Sequence, residues 1–144
     1  MKKCYLDSNF LIYFKDENAP QHNLVVDKMA KLAEEGTSFF VSQLVIDEFI
    51  YVLKNYPGLK KDKNIFQILK TILQQILEIP FLMVVNPPTD TNSQVKTIDL
   101  MEKYNLSPRD AYHLLTMMSQ DIEILATFDN HFKSVFAEKI VEEI

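Results

Sequence analysis

The sequence predicts an α/β fold, a three-layer sandwich with a mostly parallel central sheet of four to five strands. Short, continuous apolar runs alternate along the chain with longer segments whose apolar residues recur at helical spacing. Strands without an alternating polar face are typical of parallel sheets, because helices cover both faces of such sheets. The 144 residues, 47% of them hydrophobic, suffice for one core, so we expect a single domain over residues 1–144.

The first half of the chain contains two predicted strands and four helical segments. Ser42 is suited to cap a helix at its N-terminus, and Gly36 is suited to end the helix before it. Apolar residues at 65, 68, 69, 72, 73, 76 and 77 follow helical spacing most closely. In order, we predict a strand at 3–6, helical turns at 8–14, a helix at 21–35, a strand at 38–41, and helices at 42–54 and 62–78.

The second half of the chain continues the alternation and includes one long loop at 86–93. Ser107 and Pro108 are typical of an N-cap and of the first residue of a helix. In order, we predict a buried strand at 81–85, helices at 91–104 and 107–119, a strand at 122–126, a short helix after Asp129 and a strand around 140–141.

Composition excludes several classes of protein. With only Gly36 and Gly58 as glycines, the chain has no glycine-rich phosphate loop of the dinucleotide-binding or P-loop kind. Cys4 is the one cysteine, so there is neither a disulfide framework nor a cysteine zinc site, as in a reducing compartment. No apolar run is long enough to span a membrane. We therefore expect a cytoplasmic protein with no membrane partner.

The charge balance bears on the substrate. Twenty acidic residues against fifteen basic ones, of which Arg109 is the one arginine, give a net charge of −5. Bulk positive charge therefore does not explain binding of a nucleic acid. An anionic substrate would need a bound cation.

Two acids lie where a parallel sheet binds its ligands, beyond the carboxyl ends of the strands. Asp7 follows the first predicted strand, and Asp129 follows a later one. Each could equally be a helix N-cap, because aspartate is among the preferred capping residues. Taken singly, neither acid indicates a site.

Glu48 is harder to explain as a surface residue. Its neighbours one helical turn away are apolar: Leu44, Val45 and Val52. A carboxylate in an apolar stripe needs a partner, and with one arginine in the chain a metal ion is a leading candidate. The alternative is a glutamate at the rim of the stripe. Asp47, one position earlier, is expected on the surface.

Asp110 is the last of the four acids that we single out. It lies three residues after Ser107, where helix capping would explain it, and it borders an apolar stripe at the same end of the sheet. Four carboxylates at one edge are suited to a hard cation such as Mg²⁺ or Mn²⁺. The histidines lack metal-ligand spacing, and we expect ordinary surface or half-buried residues at His22, His113 and His131.

The four acids and their neighbours resemble the motifs of the PIN domain family, and in length the chain is most similar to the VapC-type ribonuclease toxins of toxin-antitoxin pairs. That pattern has an acid after strand one, a glutamate on a later helix, an aspartate opening a late helix, and T/S-x-D after the next strand. The matching segments are YLDSN around Asp7, VIDEF around Glu48, LSPRDA around Asp110 and ATFD ending at Asp129. The resemblance covers the whole chain and implies a PIN-like fold.

The resemblance implies a metal-dependent endoribonuclease. One or two Mg²⁺ or Mn²⁺ ions would lower the pKa of a bound water and neutralise the scissile phosphate, leaving 5′-phosphate and 3′-hydroxyl ends. The residues implied as catalytic residues and metal ligands are Asp7, Glu48, Asp110 and Asp129. Asn9 and Thr127, beside two of these acids, would orient a ligand or a water, or are plain turn residues.

Partners are predicted from the same resemblance: an RNA substrate, an antitoxin protein and a second copy in a homodimer. Lys60, Lys61 and Lys63 lie in the densest basic stretch, where they either contact RNA phosphates or only solvate the chain. The helix at 62–78 is a partner-binding face or, more simply, packs on the core. The alternative function is a non-catalytic PIN-like module that binds RNA or acts as a scaffold, which the presence of all four acids disfavours.

Overall fold

Five strands form one sheet in the part of the chain that the structure describes. The structure is a computed structural model, and it describes residues 1–138 and 142–143. The strands are β1 (Lys3–Leu6), β2 (Ser38–Ser42), β3 (Leu82–Val85), β4 (Ile124–Ala126) and β5 (Glu142–Glu143). They lie in the order β3-β2-β1-β4-β5, and every neighbouring pair is parallel. The predicted α/β class with a mostly parallel sheet is confirmed.

The strand order decides which face of the sheet each helix covers. The helices are α1 (Ser8–Lys15), α2 (His22–Glu34), α3 (Gln43–Lys54), α4 (Ile65–Leu77), α5 (Thr91–Tyr104), α6 (Pro108–Ser119) and α7 (Lys133–Ala137). Crossovers between parallel strands are right-handed. The chain steps from β1 to β2 to β3 in one direction, so α1 to α4 cover one face, and it then returns past β1 to β4, so α5 and α6 cover the other. The result is the predicted three-layer sandwich.

Predicted capping signals set several of the observed boundaries. Ser42 Oγ accepts a hydrogen bond from the backbone N–H of Val45 at 3.1 Å and caps α3. Ser107 Oγ accepts one from the N–H of Asp110 at 3.2 Å and caps α6. Gly36, after α2, has φ +76°, a conformation that suits glycine at the end of a helix. The sequence therefore encodes these boundaries locally.

Helix α4 begins at Ile65 rather than at 62. Asp62 Oδ1 accepts a hydrogen bond from the backbone N–H of Asn64 at 2.8 Å, and this local turn takes the place of a helical start. Leu69 and Ile76 of α4 are buried, and Ile72 packs against the same core. The apolar stripe of this helix is therefore used in the core.

The prediction of a buried strand at 81–85 is wrong in its burial. The strand β3 lies at an edge of the sheet, and Met83 and Val84 are 49% and 47% exposed. Phe81 has φ +63° and is exposed, so it stands outside the strand. A short apolar run predicts a strand whether that strand is central or at an edge, because burial depends on distant neighbours.

The sheet is most deeply buried at its centre. Cys4, Tyr5 and Leu6 of β1 have no exposed surface, since β1 pairs with both β2 and β4. The strand predicted around 140–141 lies outside the described residues, next to β5. Among the described residues, no helix is both long and apolar enough to cross a membrane.

Candidate active site

The crevice beyond the ends of β1 and β4 is where the strand order predicts a ligand site. These strands are neighbours, but their connections lead to opposite faces of the sheet, and open parallel sheets bind ligands at such points. Asp7 directly follows β1, and Thr127 directly follows β4. The first of the predicted acids therefore lies at the expected place.

Asp7 is buried, with 6% of its surface exposed. Its Oδ1 accepts a hydrogen bond from the N–H of Ser8 at 2.8 Å, and its Oδ2 accepts one from Thr127 Oγ1 at 2.7 Å. Asp7 is thus the N-cap of α1, as capping preference allowed. Burial raises the pKa of Asp7 above its ordinary value, and the hydrogen bonds from Thr127 and Ser8 offset this only in part.

Glu48 projects from α3 toward α6. Its Oε1 lies 3.0 Å from His113 Nε2 and 3.4 Å from Arg109 Nε, and its Oε2 accepts a hydrogen bond from Ser8 Oγ at 3.1 Å. The side chain is 14% exposed, so Glu48 lies at the rim of the apolar stripe rather than inside it. Protein groups therefore meet the charge of Glu48.

The pKa of Glu48 shifts in the opposite direction to that of Asp7. Burial acts to raise the pKa of Glu48, but the hydrogen bond from His113, with the contributions of Ser8 and Arg109, outweighs it. The pKa of Glu48 is therefore held below its ordinary value. We call Asp7 and Glu48 the inner pair, since Ser8 bonds to both carboxylates.

Asp110 and Asp129 form a second, more exposed pair, which we call the outer pair. His131 Nδ1 lies 3.2 Å from Asp110 Oδ2 and 3.1 Å from Asp129 Oδ1. Asp129 Oδ1 also accepts a hydrogen bond from the backbone N–H of His131 at 2.9 Å. The Asp110 carboxylate, expected to reach back to the cap of its helix, contacts a histidine instead.

One open cleft of about 300 Å³ joins Glu48 to the outer pair, and Asp7 lies next to it, bonded to the lining residue Ser8. The lining of the cleft includes Ser8, Glu48, Arg109, Asp110, Asp129 and His131. Asp7, Glu48 and His113 offer ligand atoms within 4.8 Å of one another, and so do Asp110, Asp129 and His131. The four predicted acids therefore come to one edge of the sheet as two groups. A larger cavity of about 470 Å³ lies near the C-terminal end of α1, away from the acids.

Thr127 connects the inner and outer pairs. Its Oγ1 donates to Asp7 Oδ2 and accepts a hydrogen bond from the backbone N–H of Asp129 at 2.9 Å. Asn9 supports the same loop, because its Oδ1 accepts a hydrogen bond from the N–H of Phe128 at 3.2 Å. Both residues thus contact the loop that carries Asp129.

The basic stretch lies apart from the acids. Lys60, Lys61 and Lys63 are exposed residues of the loop between α3 and α4. The same loop contains Tyr56, whose hydroxyl donates a hydrogen bond to Asp16, the C-cap of α1. Asp7 caps the opposite end of α1, and the three lysines are not among the residues that line the cleft.

Three side chains of the site were missed in the sequence: Arg109, His113 and His131. The expectation of an ordinary surface or half-buried residue at His113 is wrong, because it is 2% exposed and bonded to Glu48. A usable signal existed, since a glutamate in an apolar stripe requires a buried donor and His113 lies on the apolar side of a helix. For His131, the two-residue spacing after Asp129 gave no such signal.

The fold and the cleft define a class of small α/β proteins with carboxylates at the carboxyl edge of a parallel sheet. The chain belongs to the PIN domain family, whose model matches residues 4–137. The resemblance seen in the sequence motifs is therefore confirmed.

Known relatives cover almost the whole chain. Ribonuclease VapC2 of Methanocaldococcus jannaschii is 29% identical over 97% of this chain and 93% of its own length. VapBC2 from Rickettsia felis, solved bound to a DNA fragment from its promoter, has a TM-score of 0.68 at 17% identity and covers 98% of both chains. VapC20 from Mycobacterium tuberculosis, a Sarcin-Ricin loop cleaving toxin, has a TM-score of 0.63 at 13% identity, over 93% of this chain and 94% of its own. These structures share the fold.

Proposed function

We propose that this protein is a divalent-cation-dependent endoribonuclease that hydrolyses RNA phosphodiester bonds at the inner and outer pairs. The observation that carries the proposal is that acids from four separate segments meet at one edge of the sheet, where three of them line one cleft and Asp7 lies beside Glu48. The ribonuclease name of the relative from Methanocaldococcus jannaschii supports the same conclusion.

The donor atoms at the cleft fit a hard divalent cation. Asp7, Glu48, Asp110 and Asp129 offer carboxylate oxygens, which Mg²⁺ and Mn²⁺ prefer. The one thiol is unsuitable, because burial raises the pKa of Cys4 to about 12. A divalent cation at these acids would lower the pKa of a bound water and neutralise charge on the scissile phosphate.

The neighbouring side chains would hold the acids in position. Thr127 bonds to Asp7 and to the backbone of Asp129, so we assign it and Asn9 the orientation of the acids rather than contact with a cation. Arg109, with 59% of its side chain exposed at the cleft, is placed to meet an incoming phosphate. Lys60, Lys61 and Lys63 would contact RNA phosphates farther along the strand.

A toxin-antitoxin role completes the proposal. An antitoxin protein is the proposed partner, and the VapBC2 structure of similar fold supports it. We also propose a homodimer, as the resemblance to VapC-type toxins implies, and a cytoplasmic location, as the composition predicts. The alternative, a non-catalytic module that binds RNA or acts as a scaffold, finds less support because all four acids are present.

Cleavage assays test the proposal directly. Purified protein with Mn²⁺ or Mg²⁺ should cleave RNA to 5′-phosphate and 3′-hydroxyl ends, and a chelator should stop it. Asp7→Asn, Glu48→Gln and Asp129→Asn should each lower the rate at least about 100-fold, since even partners of metal ligands contribute 10- to 100-fold. Asp47→Asn, at the exposed neighbour of Glu48, is the matched control. Cleavage at the wild-type rate by any two of the three variants would overturn the assignment.

A further inference from the structure

A buried chain of hydrogen bonds connects the start of α3 to Glu48. The backbone N–H of Val45 donates to Ser42 Oγ at 3.1 Å, and Ser42 Oγ lies 2.7 Å from Tyr5 Oη. Tyr5 Oη lies 2.7 Å from His113 Nδ1, and His113 Nε2 lies 3.0 Å from Glu48 Oε1. Tyr5, Ser42 and His113 are at most 2% exposed.

The carboxylate end of this chain fixes the direction of each hydrogen bond from Glu48 to Ser42 when the His113 ring is neutral. A carboxylate can only accept, so Nε2 of His113 carries the ring proton and donates it to Glu48. Nδ1 then carries the lone pair and accepts the O–H of Tyr5. Tyr5 Oη in turn accepts the O–H of Ser42, whose Oγ accepts from the backbone N–H of Val45.

The reverse direction fails at the carboxylate end. If His113 carried its proton on Nδ1 and donated it to Tyr5, the lone pair of Nε2 would face Glu48 Oε1 at 3.0 Å. Two acceptors at that distance repel each other, and the Glu48 oxygen would lose its hydrogen bond from His113. The forward direction leaves no such conflict.

We propose that Tyr5 and His113 are positioning residues of the site: the Tyr5 hydroxyl holds the ring of His113 at Nδ1 in the Nε2–H tautomer that Glu48 requires, and that N–H fixes the carboxylate of Glu48. The inference rests on the proposed function only in assigning Glu48 to the cation. In this tautomer Nε2 of His113 carries a proton, so it has no lone pair with which to bind a cation. The inner pair then binds through oxygen alone, as a hard cation requires.

The tautomer is tested first, in metal-free wild-type protein. Nitrogen-15 NMR of the histidine rings distinguishes a protonated from an unprotonated ring nitrogen. We expect Nε2 of His113 to be protonated and Nδ1 to be the acceptor. A proton on Nδ1 instead would overturn the proposal, whatever the cleavage assays show, because this readout requires neither RNA nor metal.

Tyr5→Phe tests the coupling to Glu48, since it removes the hydroxyl and keeps the ring. We expect the His113 ring, without its hydrogen bond at Nδ1, to hold Glu48 less firmly and the dissociation constant for Mn²⁺, followed by electron paramagnetic resonance, to rise about 10- to 100-fold. Tyr104→Phe is the matched control, because Tyr104 is also buried and its hydroxyl also donates a hydrogen bond to a side chain, here Glu138. Equal Mn²⁺ affinity in the two variants would overturn the coupling.

Substitution of His113 separates positioning from packing. Gln carries an N–H at the reach of Nε2, whereas Met fills similar space without a donor. His113→Gln should therefore retain most of the Mn²⁺ affinity that His113→Met loses. If both variants bind Mn²⁺ equally, His113 only fills space and the proposal fails. Absence of Mn²⁺ binding by the wild type would refute the cation site, while the NMR result still decides the tautomer.

Discussion

The inner and outer pairs carry the same chemical groups in different surroundings. In the inner pair, all four carboxylate oxygens contact protein donors: Ser8 and Thr127 for Asp7, and His113 and Ser8 for Glu48. In the outer pair, Asp110 and Asp129 share the exposed imidazole of His131, and Asp129 also accepts the backbone N–H of His131. The inner pair is thus held by donors from several segments of the fold, whereas the outer pair contacts the exposed His131.

Replacing one acid of each pair by Ala should show that the inner pair contributes more to stability than the outer pair. Glu48→Ala leaves the buried N–H of His113 without its acceptor, and we expect a loss of about 1–3 kcal/mol in the free energy of unfolding. Asp129→Ala removes a more exposed group and should change it by no more than about 0.5 kcal/mol. Chemical denaturation with chelator present measures both. Equal losses would mean that the pairs are built alike.

A bound cation should act on the outer pair by cancelling the repulsion between its two carboxylates. Asp110→Asn reduces repulsion between the outer acids, so we expect a more stable protein without metal and a smaller gain on adding Mn²⁺. At ten times its dissociation constant, Mn²⁺ should stabilise the wild type by about 1.4 kcal/mol, or about 3–6 °C in melting temperature. A variant that is less stable without metal yet gains the full shift would show that Asp110 serves its helix alone.

The opposite pKa shifts of the inner pair predict opposite dependences on pH. Asp7, with its pKa raised by burial, keeps its proton longer in the folded chain, so metal-free stability should fall as pH rises through the raised pKa. Glu48 has a lowered pKa, so its contribution to stability should be lost as pH falls through that pKa in the acidic range. Each slope is at most about 1.4 kcal/mol per pH unit. Melting temperatures measured across the pH range should lose the Asp7 slope in Asp7→Asn and the Glu48 slope in Glu48→Gln. Retention of both slopes would contradict the burial argument.

Substitutions in the basic loop should have the smallest effect on stability and should change only the binding of RNA. Changing Lys60, Lys61 and Lys63 together to Ala should leave stability within about 0.5 kcal/mol, because all three are exposed. The slope of RNA affinity against salt should fall by about one to three units. Measurements with an inactive Glu48→Gln background avoid cleavage. An unchanged slope would assign these lysines to solvation.

Much of this architecture follows from local sequence. Cap residues such as Ser42 and Ser107 set helix starts within one turn, and short apolar runs locate the central strands. The four acids were predicted because each follows a strand, opens a helix or interrupts an apolar stripe. Their meeting at one edge required only the rule that parallel strands end together.

Contacts between distant segments could not be predicted from local sequence. Tyr5 and His113 are 108 positions apart, and neither has a local pattern that marks it as the other's partner. The exposure of β3 likewise depends on its being last in the strand order. The division of the acids into pairs depends on side-chain contacts, which hydrophobic periodicity does not predict.

The central place of β1 has a consequence for how the protein is made. Asp7 leaves the ribosome early, but Thr127, which bonds to its carboxylate, is synthesised 120 residues later. At 5–20 residues per second, that interval is about 6–24 s. Until then the first strand lacks one of its two neighbours, and such non-local pairing also slows folding itself. The nascent chain therefore carries the acids without the site, and a product that ends before Thr127 never forms the inner pair as described.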